Sequence, residues 1–425
     1  MVDLKEQVEA SPVKIIWTKF RSQRSVRWSL RILYFFLFLA LFGDFIANEK
    51  PIFCQINGET SFPIFRSYGV KLGLSDWKEP FLRVDDWRTL EYEKVVFAPI
   101  PYSSTTIDFR NSFSSPVGDQ RLPAPRFRHV LGTDELGRDV AAGMVAGARI
   151  AILVGLLSMG IATLIGIFLG SLAGFFGDRE LKLPWIRIVL VLLFGFLGLF
   201  WAFSSRSGKI QQASLEGHLL STLLLSLGIW AIVITIGYGL SRLLELVPAF
   251  RRRIVFPIDL LVVRLIEIIQ SIPALLLLLS VAAIIRRPNI FYIMVLIGLI
   301  RWTSIAQFVR AELLRIRERE YIDAARVMGF PRRRILIRHA LPNALGPVLI
   351  TIAFGIAAAI LIEASLSFLG IGLSAQDVTW GSMLNMARRN FTAWWLAVLP
   401  GVAIFLMVTI FNLLGQGLTD SLDLK

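Results

Sequence analysis

The sequence predicts an all-α membrane protein that crosses the bilayer about eight times. Of its 425 residues, 55% are hydrophobic, and the mean hydropathy is +0.65, which exceeds that of soluble domains. Several apolar runs reach the length of about 20 residues that a helix needs to cross the hydrocarbon core. Lys and Arg gather beside these runs, as expected of the loops that orient a membrane protein.

The net charge of +14 does not by itself indicate a nucleic-acid-binding protein. The basic residues flank apolar segments, so we expect the lipid bilayer as a partner and no nucleic acid. The single cysteine, Cys54, cannot form an internal disulfide. The three scattered histidines do not have the spacing of a zinc site, so we expect no metal ligands.

Residues 1–28 form a polar, basic tail that precedes the first expected span at 29–47. A cleaved signal peptide is the alternative for this run. The run is long and lacks a small-residue cleavage site, so we favour an anchored span with the tail in the cytoplasm. Residues 48–128 are polar and rich in proline and aromatic residues, and they predict an extracytoplasmic insert of irregular structure.

Seven further spans are expected, which gives eight in total and places both termini in the cytoplasm. The second span carries a glycine at every fourth position, and such a stripe lets helices approach closely in lipid. The third and fourth spans suit a helical hairpin whose basic outer ends lie in the cytoplasm. The seven ranges are 148–176, 184–203, 218–247, 260–285, 290–308, 344–366 and 393–414, and the stripe is Gly166, Gly170 and Gly174.

A polar, Arg-rich loop at 311–343 separates two of these spans. If Glu312 to Gly329 is one helix, four residues with helical spacing share a face. Gly329 suits the left-handed residue after a helix end, and Pro331 suits the first turn of a second, basic helix that Pro342 closes. The expected shared face comprises Tyr321, Ala324, Ala325 and Met328.

The sequence therefore predicts two short helices outside the bilayer, with small side chains where another surface could come close. An amphipathic loop packed on its own bundle is the alternative, and periodicity alone does not separate the two.

This loop resembles the one through which ABC-importer permeases dock on their ATPase subunits. The family pattern has a Glu-Ala-Ala core, a Gly four residues later and a Leu-Pro pair. In the peptide-transport branch a His precedes that pair and an Asn follows it. Asp323 replaces the Glu here, and the other positions match. The resemblance assigns the coupling loop to Glu320, Tyr321, Asp323, Ala324, Ala325, Met328, Gly329, His339, Leu341, Pro342 and Asn343.

Other segments resemble the same branch, namely 129–139 and 366–372 together with Trp380, Trp394-Trp395 and 412–415. From the residues alone, Thr133 or Asp134 would cap a helix, and the tryptophans would suit interfacial belts. The resemblance covers about 129–177 and 257–425. It implies a type I ABC-importer transmembrane domain at 129–425, interrupted by an extra two-span hairpin at 178–256. The eight spans of the whole chain would then be six core spans, the first at 29–47, and the hairpin.

The resemblance implies a permease for dipeptides or oligopeptides in the bacterial inner membrane. Its expected partners are a sister permease, two ATPase subunits that bind ATP, and an extracytoplasmic substrate-binding protein. The chain itself is expected to be no enzyme and to bind no cofactor. Its one Gly-Lys pair, Gly208-Lys209, lacks the upstream glycine of a P-loop.

Several alternatives stay open at this point. Nickel or a peptide-like antibiotic could be the cargo, and the chain could instead be an ion-coupled secondary transporter or a membrane-bound enzyme. The hairpin could face lipid or dock a partner. Glu363, deep in its expected span, is the best candidate for a group in the transport path, ahead of Glu267 and Arg301; pairing between helices is the other interpretation.

Overall fold

The computed structural model describes residues 12–422, apart from 78, 80, 83, 85, 123, 179–180, 217, 285–288 and 372–376. The first part of the expected basic tail and Gly372 of the C-terminal motif therefore lie outside the described residues. Helices dominate what is described.

The helices and strands follow one another along the chain in two groups. Up to the 311–343 loop they are α1 (Pro12–Ser22), α2 (Arg24–Ile46), β1 (Phe53–Ile56), β2 (Glu59–Ser61), α3 (Pro63–Lys71), β3 (Lys94–Val96), α4 (Val140–Ser171), β4 (Lys182–Pro184), α5 (Trp185–Leu199), α6 (Ser207–Glu216), α7 (Leu219–Leu244), β5 (Arg253–Val255), α8 (Ile258–Gln270), α9 (Ala274–Ile284) and α10 (Ile290–Ile316). From the loop onwards they are α11 (Glu320–Val327), α12 (Arg332–Ile335), α13 (Leu341–Phe368), α14 (Trp380–Ala387) and α15 (Trp395–Leu422).

Within the described residues, 7 helical stretches are long and apolar enough to cross a membrane, and α8 with α9 forms a further pair bent by 76°. Counting that pair as one span gives the eight expected, six in the core and two in the hairpin. The span expected at 260–285 is thus a bent pair of helices and not one continuous helix. Pro273 has no N–H and disfavours a helical conformation at Ile272, so the helix breaks there.

The chain divides into two compact units. The first is formed by Met1–Ile161, Asn289–Arg301 and Leu349–Lys425, and the second by Ala162–Pro288 and Trp302–Val348. The long helices α4, α10 and α13 contribute residues to both.

In the first unit, small residues bring helices into close contact. A Cβ added to Gly155 would lie 2.6 Å from Ile356 Cγ2, and one added to Gly417 would lie 2.3 Å from Val26 Cγ2. Nε2 of Gln23 also donates to the Gly417 carbonyl at 3.2 Å. The helix of the first expected span, α2, is thus packed against α15 and is part of the helical unit.

In the second unit, the glycine stripe of α4 and its continuation lies against α10. Added Cβ atoms at Gly166, Gly170 and Gly174 would come within 2.7 Å of Ile305 Cβ, 2.6 Å of the Ala306 carbonyl and 2.6 Å of the Arg310 carbonyl. Each approach is closer than real Cβ atoms allow, so the backbones meet only because the side chains are missing. This is the geometry expected of a packing stripe.

The hairpin closes on itself at its base. β4 pairs with β5 in antiparallel register, with Leu183 opposite Ile254. Above the sheet, Arg187 and Glu245 form an ion pair at 2.6 Å. Trp230 Nε1 donates to the Gly195 carbonyl at 3.0 Å and ties α7 to α5. The two ends of the extra segment are therefore held together by contacts within the hairpin itself.

The insert at 48–128 is more ordered than its composition predicts. β1 pairs with β2 and β3 in a three-stranded sheet, and Cys54, Phe81 and Trp87 form a buried cluster beside it. The expectation of irregular structure missed this small sheet, because it weighed composition above turn chemistry. Asn57 and Gly58, with φ of 53° and 76°, make the tight turn between β1 and β2.

A buried column links the insert to the start of α4. The Arg88 guanidinium lies 4.8 Å over the Tyr102 ring, and that ring stacks on His129 at 4.2 Å. Nδ1 of His129 lies 2.9 Å from the Asp139 carboxylate. Burial raises the pKa of Tyr102 to about 12.

The cap of α4 is Asp139, whose Oδ1 accepts from the Ala142 N–H at 2.7 Å. The expectation that Thr133 or Asp134 caps this helix was wrong. Both lie in a loop that turns at Gly137, with φ of 75°, before α4 begins. Asp134 instead pairs with Arg138 at 2.7 Å.

Two of the C-terminal tryptophans are core residues. Trp380 and Trp395 are only 2% and 4% exposed, and their indole N–H groups donate to the carbonyls of Met144 at 3.1 Å and Thr133 at 3.0 Å. An interfacial belt would leave them exposed. Trp394, at 54% exposed, is the one that fits that interpretation.

We expect Gly170→Val to destabilise the protein by about 1–3 kcal/mol, because the new Cβ overpacks the contact with α10. Gly160→Ala in the same helix is the matched control, since no atom lies within 4 Å of its added Cβ. Thermal unfolding in detergent, followed by tryptophan fluorescence, measures both. Equal stability of the two variants would contradict the packing described above.

We expect Cys54 to resist maleimide at neutral pH in the folded protein and to react after denaturation. Burial raises the pKa of its thiol from 9.0 to about 11, and the thiolate is the reactive form. The unfolded thiol ionises first, so this group's contribution to stability is complete below pH 9.0 and is lost as the pH rises towards 11. Comparison with Cys54→Ala isolates the effect, and rapid labelling of the folded chain would contradict it.

Candidate functional site

The loop at 311–343 begins with a break between α10 and α11. α10 ends at Ile316, and Arg319 is extended with φ −83° and ψ 141° before α11 starts at Glu320. The expected single helix from Glu312 to Gly329 was therefore wrong. The turn reorients α11 so that Ile322 is completely buried, which is favourable because it removes an apolar side chain from water. Helical periodicity alone does not predict this burial.

The exposed face of α11 differs from the expected one at one position. Ala325 is only 3% exposed and packs inward beside Ile322, whereas Ala324 faces outward. The outward side also carries Tyr321, which is 44% exposed, and Met328, which is 64% exposed. Val327, which the sequence argument overlooked, is 88% exposed and completes an apolar tip.

Gly329 ends α11 in the left-handed conformation, with φ of 78°. Its N–H donates to the Arg326 carbonyl at 3.0 Å, and the next N–H, of Phe330, donates to the Ala325 carbonyl at 3.2 Å. This bond pair is the Schellman arrangement, which needs a residue without strain at positive φ. No atom lies within 4 Å of an added Cβ, so the backbone conformation, and not space, requires the glycine.

The second helix of the loop does not end at Pro342. α12 passes through a π turn at Leu336–Ala340 straight into α13, so a continuous helical run extends from Arg332 to Phe368. The expectation that Pro342 closes the helix was wrong. The wider turn shifts the hydrogen-bond register around a residue that has no N–H to donate.

Three of the expected loop residues meet where α11 approaches this run. Nδ2 of Asn343 donates to the His339 carbonyl at 2.7 Å and lies 3.4 Å from the Tyr321 hydroxyl. The His339 ring stacks on Phe330 with centroids 6.1 Å apart, and Arg334 lies 4.6 Å over the same ring. We call these five residues the loop clamp, because they join α11 to the helix that becomes α13.

The remaining expected residues take simpler places. Glu320 and Asp323 lie in the first turn of α11, where acids favour the helix dipole, and Asp323 pairs with Arg326 at 3.0 Å. Leu341 is half-buried, and Pro342 is exposed. The structure thus gathers most of the loop residues into one rigid element with an exposed tip.

A charged cleft of about 470 Å³ lies beside α11. Asp259 on its wall pairs with Arg310, with Oδ2 and Nη2 2.7 Å apart, and Asp178 accepts from the Leu260 N–H at 2.9 Å. The cleft is lined by Phe176, Gly177, Asp178, Asp259, Leu314, Arg317, Glu318 and Arg326. Its lining contains both signs of charge.

Glu363 is 2% exposed and accepts from the Ser367 hydroxyl at 2.5 Å. Within the described residues these surroundings resemble those of a packed polar group more than those of a side chain on an open path. Glu267, by contrast, has a side chain that is 53% exposed and pairs with Arg264 at 2.7 Å. Nε of Arg301 is buried and has no hydrogen-bond partner among the described residues.

The part of the chain that the structure describes contains no group of three or more His, Cys, Asp or Glu residues placed to hold a metal ion. The loop and its exposed tip are therefore the best-defined candidate site.

The sequence is similar to those of known transport proteins. The family model described as "Binding-protein-dependent transport system inner membrane component" matches residues 237–425, which include the loop. The inner membrane ABC transporter permease protein YejE of Escherichia coli (strain K12) is 26% identical over 416 residues, 96% of this chain and 95% of that protein. The peptidoglycan transport system permease protein YejE of Agrobacterium fabrum is 26% identical, over 96% and 91% of the two chains.

A third relative carries a narrower name. The dipeptide transport system permease protein DppC of Alkalihalophilus pseudofirmus is 28% identical over 78% of this chain and 81% of its own. Permeases of this kind work with ATPase subunits and a substrate-binding protein. This chain therefore resembles the permeases of binding-protein-dependent ABC importers over nearly its whole length, the family model itself covering residues 237–425, and it is a multi-pass membrane protein.

Proposed function

We propose that this chain is one of two membrane subunits of an ATP-driven peptide importer and that ATPase subunits dock on its 311–343 loop. The observation that carries the proposal is the apolar tip of α11 on a loop held rigid by the loop clamp. The ATPases, and not this chain, would bind and hydrolyse ATP.

The tip has the composition of a protein contact. Val327 and Met328 are 88% and 64% exposed, and the basic α12 follows directly after Gly329. An apolar centre beside a charged rim is typical of specific interfaces. Tyr321, 44% exposed, adds an aromatic anchor next to the same surface.

The loop clamp gives a route by which docking would move the membrane spans. A partner that pulled α11 would pull Tyr321, and through Asn343 it would load the helical run from Arg332 to Phe368. Packed helices respond to such a load by moving between discrete arrangements. Two ATPases closing on ATP would thus open the path alternately to each side of the membrane.

Because ATP is hydrolysed in the cytoplasm, docking of the ATPases on the 311–343 loop would fix the orientation of the chain in the membrane. The loop would face the cytoplasm, and the even number of spans would place both termini there as well. The insert at 48–128 would then lie outside the membrane on the opposite side, where a substrate-binding protein delivers cargo. A sister permease would complete the membrane part, because one such bundle supplies only half of a path.

The cargo class follows from the relatives' names, which include dipeptide and peptidoglycan transport. Both names fit compounds built on peptide chains. Nickel or a peptide-like antibiotic would use the same machinery. An ion-coupled transporter would leave the exposed tip of α11 without a partner.

Gentle purification through a tag on this chain, followed by mass spectrometry, tests the proposal. We expect a sister permease and P-loop ATPases, and we expect cells with the intact complex to accumulate peptides from a defined mixture. Repeated recovery of the folded chain alone would contradict the proposal.

The double substitution Val327→Glu and Met328→Glu should lower ATPase recovery at least about tenfold, because it places charge in an apolar contact worth about 2 kcal/mol or more. Val117→Glu is the matched control, since Val117 is 87% exposed and lies in the insert. Quantitative mass spectrometry of the purified complexes measures the ratio. Unchanged recovery with the double variant would place the dock elsewhere.

Gly329→Val should impair peptide uptake while leaving membrane insertion intact. A β-branched residue at positive φ costs about 1–3 kcal/mol and would distort the turn that presents α12. Gly329→Asn, which tolerates this conformation better, should retain more uptake. Normal uptake by the valine variant would show that the Schellman turn is not needed.

A further inference from the structure

The break between α8 and α9 lies inside a helix pair that is apolar enough to cross a membrane, and on the surface of its unit. Gln270 at the end of α8 lies 3.5 Å from the Thr303 hydroxyl, and Thr303 stands at the midpoint of the membrane helix α10. Ser271, Ile272 and Pro273, which form the break, are all exposed. A broken helix leaves carbonyl and N–H groups without intrahelical partners.

Polar side chains surround this break. Arg264 and Glu267 form an ion pair whose side chains are 66% and 53% exposed. Gln270 and Gln307 exchange amide contacts at 3.4 and 3.3 Å, and both residues are exposed. We call these four residues and Ser271 the polar face; it comprises Arg264, Glu267, Gln270, Ser271 and Gln307.

Lipid cannot cover the polar face. Irregular backbone at membrane depth occurs only where protein buries it or where it lines a water-filled cavity, and exposed charges in hydrocarbon are costly. A contact with another permease would have to bury an ion pair that is already complete, and charged residues are depleted at the centres of interfaces. A hydrated path satisfies both the charges and the open backbone.

The carboxyl end of α8 contributes acceptors to this set of polar groups. It carries the negative end of the helix dipole, and Glu267 lies in that last turn. The side-chain amides of Gln270 and Gln307 contact each other at the same break. Broken helix ends of this polarity hold cations in membrane transporters.

We propose that the polar face lines the hydrated substrate path and that Glu267, with the carboxyl end of α8, receives the amino-terminal ammonium of a peptide in transit. This inference rests on the proposed function and adds to it a ligand group and the residues that bind it. Arg264 holds the Glu267 side chain in position between passages.

Cysteine accessibility tests the first half of the inference in the assembled complex. Cys54 is buried, so Ser271→Cys can be labelled with the membrane-impermeant, cationic reagent trimethylammonium-ethyl methanethiosulfonate. Leu265→Cys is the matched control, because Leu265 is 43% exposed on α8 but points roughly a third of a turn away. We expect position 271 to react at least about tenfold faster than 265 if water reaches only the former.

No reaction at position 271 in the assembled complex would overturn the inference, since lipid or protein would then cover the break. Reaction that appears only after the sister permease is removed would overturn it too, and would assign the face to a subunit interface.

Uptake of matched peptides tests the second half. We expect Glu267→Gln to lower the uptake of alanine peptides with free amino ends, such as trialanine, about tenfold. The uptake of the same peptides in Nα-acetylated form should not change, because only a free amino end can lose a charged hydrogen bond. Arg264→Gln, which breaks the same ion pair, should keep the preference for free amino ends.

Equal losses for both peptide forms, or for both variants, would show that the pair is only structural. Absence of all peptide uptake by the unsubstituted complex would instead contradict the proposed function. Glu245→Gln in the hairpin, which also breaks an ion pair, controls for general damage.

Discussion

The loop clamp is the contact on which the functional account depends. Asn343 joins Tyr321 of α11 to the carbonyl of His339, and Asn343 itself lies in a helical run that continues into the membrane. The buried side chains of Ile322 and Ala325 also hold α11 in place. In the proposed mechanism, the loop clamp would carry a contact at the exposed tip to the membrane span.

Hydrogen bonding in lipid explains much of the remaining architecture. Each span must satisfy its own backbone, so the chain is helical wherever hydrocarbon surrounds it. Glycines on α4 then allow backbones to approach where side chains would hold them apart. The break at 271–273 departs from this rule, which is why it indicates contact with water. The hairpin, clamped by β4 and β5, obeys the rule and keeps its base closed.

The features that the sequence predicted correctly are local or compositional. The apolar runs predicted the eight spans. Gly329 predicted a left-handed residue after α11, because helices often end in that conformation. Two other local signals were present in the sequence but were not used. Asn57-Gly58 is a typical two-residue hairpin turn. Pro273 disfavours helix at the residue before it, which is where α8 and α9 are separated by a bend.

The features that escaped prediction depend on contacts between distant residues. Because Ile322 is buried, α11 packs with Ala325 facing inward, while Ala324 stays on the exposed face as expected. The contact of His129 with Asp139 depends on the packing of the insert against the start of α4. Residue spacing alone therefore could not identify the helix cap. Hydropathy could not predict that Glu267 is exposed and Glu363 is buried, because both depend on how distant parts of the chain pack together.

Photo-crosslinking in native membranes tests the central claim most directly. A photoreactive amino acid at position 327 should crosslink to a P-loop ATPase subunit, whereas the same group at position 117, equally exposed in the insert, should not. Adducts at position 327 that contain only this chain or lipid would contradict the claim that the tip of α11 is the ATPase dock.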